Sequence, residues 1–452
     1  MSPGLRTPAP QLSGWGRLPV PGREIRSEDL AGVARSRPLT RGLGRSYGDA
    51  SLPPAGALEV AGSALADRLL AFDPETGVLR AEAGLSLREI LRLFLPRGFW
   101  PPASPGTAFV TLGGMVAADV HGKSHHRDGT FGRHVRSLRV LLADGRVVDC
   151  DRETHPGLFR ATLGGMGLTG HILEVELTLQ RIPSAWIIEE RRRYDGLDAL
   201  LAALRAAAAD WPYTVAWIDT LSSGSALGRG ILFAGRWAEA GEAPLFPPPP
   251  RKRRRFPLDL PEWCLSPFAV KTFNALLYGT APTRAQRRLL SPEQFFYPLD
   301  VIEDWNRMYG RRGFTQYQCV LPESERPGAT RRFLELMIEL GGASFLSVLK
   351  DMGAEGEGML SFPRPGVTVA VDLPIRPGTA ALVARLNRLV ADEGGRIYLA
   401  KDALSTAADF ARLEPRLPAF LAERARWDPQ GRLGSALSDR LFAPAARGSQ
   451  VS

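Results

Sequence analysis

The chain has 452 residues, longer than a single hydrophobic core usually serves, so two domains are expected. A hydrophobic fraction of 44% with 23% charged residues describes a globular protein, and no run approaches the roughly 20 apolar residues of a membrane-spanning helix. The net charge of +9 is carried almost wholly by arginine, with five lysines at Lys123, Lys252, Lys271, Lys350 and Lys401, a skew that reads as genomic composition more than as a nucleic-acid surface.

Residues 1–22 are rich in Pro and Gly and lack an apolar core, so no Sec signal peptide is expected. Residues 78–83 alternate as a strand, and Ser86-Leu-Arg-Glu89 has capping-box spacing at the head of an amphipathic helix reaching Leu95. Residues 135–142 and 146–150 flank Asp144-Gly145, a hairpin signal, and 171–179 alternate as a further strand. Beyond about Pro183 the texture changes. Helices are expected at 197–209, 330–340 and 379–392, and strands at 214–220, 230–237, 315–321, 345–349 and 367–373. Four prolines and Arg251-Lys252-Arg253-Arg254-Arg255 mark a surface loop. The mixture is α+β.

Cys150, Cys264 and Cys319 are far apart and read as reduced or buried thiols in a cytosolic protein. All six histidines lie between His121 and His171, so histidine-dependent chemistry must use that window. His125 and His126 have no carboxylate or cysteine spacing around them, and no metal is expected.

Gly165-Met-Gly167-Leu-Thr-Gly170 fits the dinucleotide-binding pattern but is followed by a strand where that motif needs a helix. Glycine turns can still cradle phosphate through successive backbone N–H groups. Arg41-Gly42-Leu43-Gly44-Arg45-Ser46-Tyr47-Gly48-Asp49 offers such a turn with two guanidiniums. Pro105-Gly106-Thr107 and Thr111-Leu112-Gly113-Gly114 offer two more.

These runs, with Asp119-Val-His121-Gly122-Lys123-Ser-His125-His126, Gly164–Gly170, Gln316-Tyr-Gln318, Ser361-Phe-Pro363, Val371-Asp372-Leu-Pro374 and Gly395-Arg-Ile-Tyr-Leu-Ala-Lys401-Asp402, resemble the vanillyl-alcohol-oxidase-type flavoproteins with a PCMH-type FAD-binding domain. The resemblance spans about residues 38–440. It implies a two-part FAD domain (1–182 and 396–452) with an antiparallel-sheet-plus-helices substrate domain (183–395) inserted between.

It further implies FAD held by Arg41, Gly42, Leu43, Gly44, Arg45, Ser46, Tyr47, Gly106, Thr107, Thr111, Gly113, Gly114, Ala118, His121, Gly122, Gly167 and Gly170, with the pyrophosphate on the first and third turns. The first loop has no histidine and 102–132 no cysteine, so non-covalent FAD is expected. The resemblance makes Lys401 and His121 the catalytic residues, and Tyr47, Gln316, Gln318, Lys350, Thr368 and Ala370 the substrate contacts. Where mycobacterial members carry Asn-x-Cys, this sequence has Thr368-Val-Ala370.

The implied reaction oxidises a secondary hydroxyl to a ketone, at C2 of a polyprenylphosphoryl ribose on the route to arabinose, with an NAD(P)H-dependent reductase acting on the keto product. Another sugar or alditol is the alternative substrate, and a non-catalytic flavin-bound membrane adaptor the alternative of another class. A polyprenyl substrate places the protein in the cytoplasm or peripherally at the inner membrane face. There the basic loop, followed by Phe256 and Trp263, suits anionic headgroups. Aromatics are not interleaved with the cations as nucleic-acid binding would require.

Overall fold

The computed structural model describes residues 10–442. A three-stranded parallel sheet sets Glu59–Gly62 between Arg23–Arg26 and Thr40–Arg41, so the chain leaves its edge directly into the first glycine loop. Next to it in sequence, a five-stranded antiparallel sheet runs Val147–Asp151, Val135–Leu141, His171–Thr178, Val78–Glu82, Leu69–Asp73. Its strands bury alternate side chains, as the period of two requires. The Asp144-Gly145 turn closes as expected, with Gly145 at φ +89°. Helix Leu87–Phe94 buries Leu87, Ile90, Leu91 and Phe94. Only half of its capping box forms: Ser86 accepts from the Glu89 N–H, while the Glu89 carboxylate turns to Arg92.

An eight-stranded antiparallel sheet follows in the order Gln286–Leu290, Ile187–Tyr194, Gly230–Trp237, Tyr213–Ile218, Ser347–Met352, Gly366–Pro374, Phe314–Leu321, Arg396–Ile397. The strand Phe314–Leu321, next to the edge, is buried at all eight positions, so both of its faces are covered. Tyr317 stacks against Phe333 of helix Ala329–Glu339, and Val383, Leu386 and Val390 of helix Thr379–Asp392 join the same core. The opposite face, carrying Gln316 and Gln318, turns toward the first domain.

One register row crosses this face: Gln318 opposes Ala370, Ala370 opposes Val348, Val348 opposes Trp217, and Trp217 opposes Ile231. The row passes from polar to wholly apolar across five strands. After Ile397 the chain returns to the first domain. Helix Leu417–Trp427 packs on Pro156–Thr162, and the Ala436 and Gly434 N–H groups donate to the Leu52 and Pro38 carbonyls.

Arg396–Ile397 form a short strand followed by a turn, and residues 254–255 of the basic loop, expected as a plain surface loop, pair in parallel with Ile302–Glu303. The strand His171–Thr178 follows the glycine run 165–170, so that run is not a dinucleotide fingerprint.

Candidate active site

A cavity of about 550 Å³ lies between the glycine loops and the register row. Of the expected residues it is lined by Gly42, Leu43, Gly44, Arg45, Ser46, Tyr47, Gly106, Thr107, Thr111, Gly113, Gly114, Ala118, His121, Gly122, Gly167 and Gly170 on one side. On the other stand Gln316, Gln318, Lys350, Ala370 and Lys401. Arg41 and Thr368 do not line it.

The first loop is built to receive an anion. Among the described residues the backbone N–H groups of 42–46 find no acceptor, and Gly44 takes φ +64°, the left-handed conformation that lets successive amides converge. Gly44 is buried and the others face the cavity, so these amides are free to receive a phosphate oxygen. Arg45 lies over the rings of Trp15 and Phe109 at 4.0 and 5.1 Å, and its buried Nε is likewise unpartnered. These features fit FAD.

Arg41 corrects the expectation of a guanidinium on the phosphate. It braces the loop from behind, donating to the Ser13 carbonyl and to Ser51, beside Glu24 at 3.6 Å. The third turn is corrected too. Gly113 N–H is committed to the Ala83 carbonyl and Gly114 N–H to the Thr111 hydroxyl, so this turn shapes the cavity without donating into it.

The first loop is pinned to the Lys401 segment. Tyr47 N–H donates to the Ala400 carbonyl at 2.9 Å, and a Cβ on Gly48 would fall 1.9 Å from the Asp402 carbonyl oxygen. Only glycine permits that approach. Lys401 Nζ therefore sits 3.7 Å from the centroid of the buried Tyr47 ring. Burial lowers the Lys401 ammonium below the ordinary lysine range, Lys350 reinforces the effect, and Asp372 opposes it. Burial also raises the Asp372 carboxyl, which accepts from Tyr309 Oη at 2.7 Å and Gln316 Nε2 at 2.5 Å. Lys350 and Lys123 are pushed down to about 8 and about 7 by burial.

The His121 tautomer follows from its neighbours. Thr368 Oγ1 donates to the Cys319 carbonyl at 2.8 Å, so toward Gln318 it can only accept. Gln318 Nε2 therefore donates both to Thr368, at 3.2 Å, and to His121 Nε2, at 2.9 Å. The His121 proton is thereby left on Nδ1, which is buried and unpartnered. Burial and the neighbouring Lys350 push its pKa well below the usual imidazole value, so the ring is neutral. Thr368, expected to touch substrate, instead sets the amide that sets the histidine. His125 Nδ1 accepts from Gly353 N–H and His126 Nε2 faces the Trp211 carbonyl, and among the described residues no cluster has metal-ligating geometry.

Sequence reasoning assigned no role to Asp372, although it stood inside a matched run, and missed Lys123 and Arg440. Arg440 binds the Asp49 carboxylate through two nitrogens at 2.7 and 2.8 Å and Asp402 at 2.7 Å, joining the first loop to the Lys401 segment.

The nest of free amides, the neutral histidine and the buried lysine define an FAD-binding oxidoreductase, and residues 29–151 match the family model of the FAD binding domain. Over 467 aligned residues the chain is 34% identical to decaprenylphosphoryl-beta-D-ribose oxidase of Mycolicibacterium smegmatis, covering 96% of this chain and 98% of that one. It therefore belongs to the PCMH-type FAD-dependent oxidase family that includes that enzyme. An uncharacterised protein of Streptomyces coelicolor is 33% identical over 79% of this chain and all of its own length. L-gulonolactone oxidase of Mus musculus is 28% identical over 27% of each chain.

Proposed function

We propose that the protein oxidises a secondary hydroxyl to a ketone, and that the alcohol is C2 of a polyprenylphosphoryl ribose on the route to arabinose. The observation that carries this is the register row. It begins at Gln318, beside His121 and Lys350, and ends at Trp217 and Ile231, matching a molecule with a sugar at one end and a hydrocarbon chain at the other. Bound FAD supplies the two-electron acceptor for the carbon-bound hydrogen. Lys401, in its neutral form, takes the hydroxyl proton. Lys350 and Gln316 orient the sugar, and His121 donates from Nδ1. The full-length relative named for decaprenylphosphoryl ribose supports the same substrate class. An NAD(P)H-dependent reductase would then consume the ketone.

An oxidase of another sugar or alditol is the second reading, favoured by the replacement of the substrate-facing Asn-x-Cys with Thr368 and Ala370. The test is anaerobic bleaching of the purified holoprotein's flavin absorbance. Decaprenylphosphoryl ribose should bleach it and simple alditols should not; the reverse pattern overturns the substrate. Acid precipitation should leave the flavin in the supernatant, since the attachment we propose is non-covalent.

A further inference from the structure

Outside the cavity, one element presents an apolar face that none of the described residues covers. Helix Pro267–Gly279 starts cleanly, with Ser266 accepting from the Ala269 N–H and proline in its first turn. Its inner face is Val270, Asn274 and Tyr278, four residues apart and buried. Asn274 Nδ2 donates to Asp219 at 2.9 Å and the Tyr278 hydroxyl to Asp195, so the helix is fastened to the sheet.

The outer face should by that logic be polar. Instead it carries Phe268, 82% exposed, and Leu276, 68% exposed, and Trp263 just ahead of the helix is 72% exposed. Large aromatics this open, on a helix this firmly held, mark an interaction surface.

Charge identifies the occupant. Lys271 stands on the helix and Arg284 just beyond it, while Arg251, Lys252 and Arg254 precede it. All five are exposed, and among the described residues none has a carboxylate within 4.0 Å of its charged nitrogens. A second copy meeting this face about a twofold axis would set Lys271 and its neighbours against their own like charges. An anionic lipid surface pairs with Lys271, on the helix itself, while its acyl boundary takes Phe268 and Leu276.

The helix also touches the cavity. Leu277 lines its apolar end beside Trp217, Ile231 and Phe233, so the face and the end of the register row belong to one element.

We propose that the outer face of Pro267–Gly279, with Trp263 ahead of it, docks the protein on a bilayer containing anionic phospholipid. No helix of the described residues is long and apolar enough to cross a membrane, and such docking needs none. The proposal stands apart from the identity of the alcohol, because its readout is binding to vesicles without substrate.

The experiment is flotation of the FAD-loaded protein with phosphatidylcholine vesicles, with and without phosphatidylglycerol. Wild type should float with the anionic vesicles and lose that binding in high salt. The triple variant Trp263→Ser, Phe268→Ser, Leu276→Ser should lower the bound fraction by roughly tenfold or more. Arg251→Glu, Lys252→Glu, Arg254→Glu should abolish the preference for phosphatidylglycerol, each cation contributing roughly fivefold. Unchanged flavin absorbance and melting temperature show that the variants are folded. Equal flotation of the serine variant and wild type overturns the proposal. So does a wild-type dimer in sedimentation that the serine substitutions dissociate while flotation stays unchanged.

Discussion

At Lys401, burial and Lys350 favour the free amine while Asp372 favours the ammonium. A depressed lysine pKa means that the base form exists above that lowered value and is lost as pH falls through it. Flavin reduction by substrate should therefore rise with pH along a limb near neutrality, where an exposed lysine would place it near about 10.4. Asp372→Asn removes the opposing charge and should move the limb to lower pH. Lys401→Met should slow the chemical step by about 10²–10⁴-fold with the flavin still bound; reduction at the wild-type rate would refute the role in proton transfer.

Thr368→Val tests the histidine. Valine cannot accept from Gln318, so the amide is freed to turn and the His121 proton to shift between nitrogens. The imidazole ¹⁵N signals should show mixed tautomers, with turnover reduced, while Thr368→Ser restores the single Nδ1–H form. That Lys401 and His121 line one cavity was legible in the sequence, because the matched runs carry both residues. Arg41 and Thr368 were misread because a sequence shows which residue is present but not which way its polar atoms turn.

Among the elements, the Asp144-Gly145 hairpin and the long strands were the most legible; Val78–Glu82 alternates in sequence and buries Leu79 and Ala81. Helix Thr379–Asp392 was equally plain. Helix Pro267–Gly279 was not, although Ser266-Pro267 is a start signal. Apolar residues on its outer face blur the period that would have revealed it.

The C-terminal helix Ala436–Leu441 was invisible as a functional part, because its worth lies in one arginine reaching across the fold. Arg440→Ala leaves Asp49 and Asp402 without their shared partner. At these partly buried positions the loss should be about 2 kcal/mol of stability. It should also loosen the contact between Tyr47 and Lys401, and Arg440→Lys should recover little because one ammonium cannot reproduce the forked geometry. Thermal melting together with the rate of flavin reduction checks both effects; a variant that melts lower but reduces its flavin normally would make Arg440 structural only.

For the whole molecule, the change of texture near Pro183 was legible in the sequence, but the cavity was not. Its walls come from loops and strands brought together by pairings no local pattern announces, such as Gln318 against Ala370 and Tyr47 against Ala400.

The arginine clamp has a temporal meaning as well. Asp49 and Arg440 are 391 residues apart, so the phosphate nest is synthesised long before the arginine that fastens it. Such a long closure is slow and entropically costly. A ribosome-bound chain should therefore leave the nest and the lysine segment unfastened, and flavin would be captured stably only once the tail has come home. Cofactor loading then waits on that one arginine: a polypeptide interrupted before Arg440 would not retain its FAD and would be dark at flavin wavelengths.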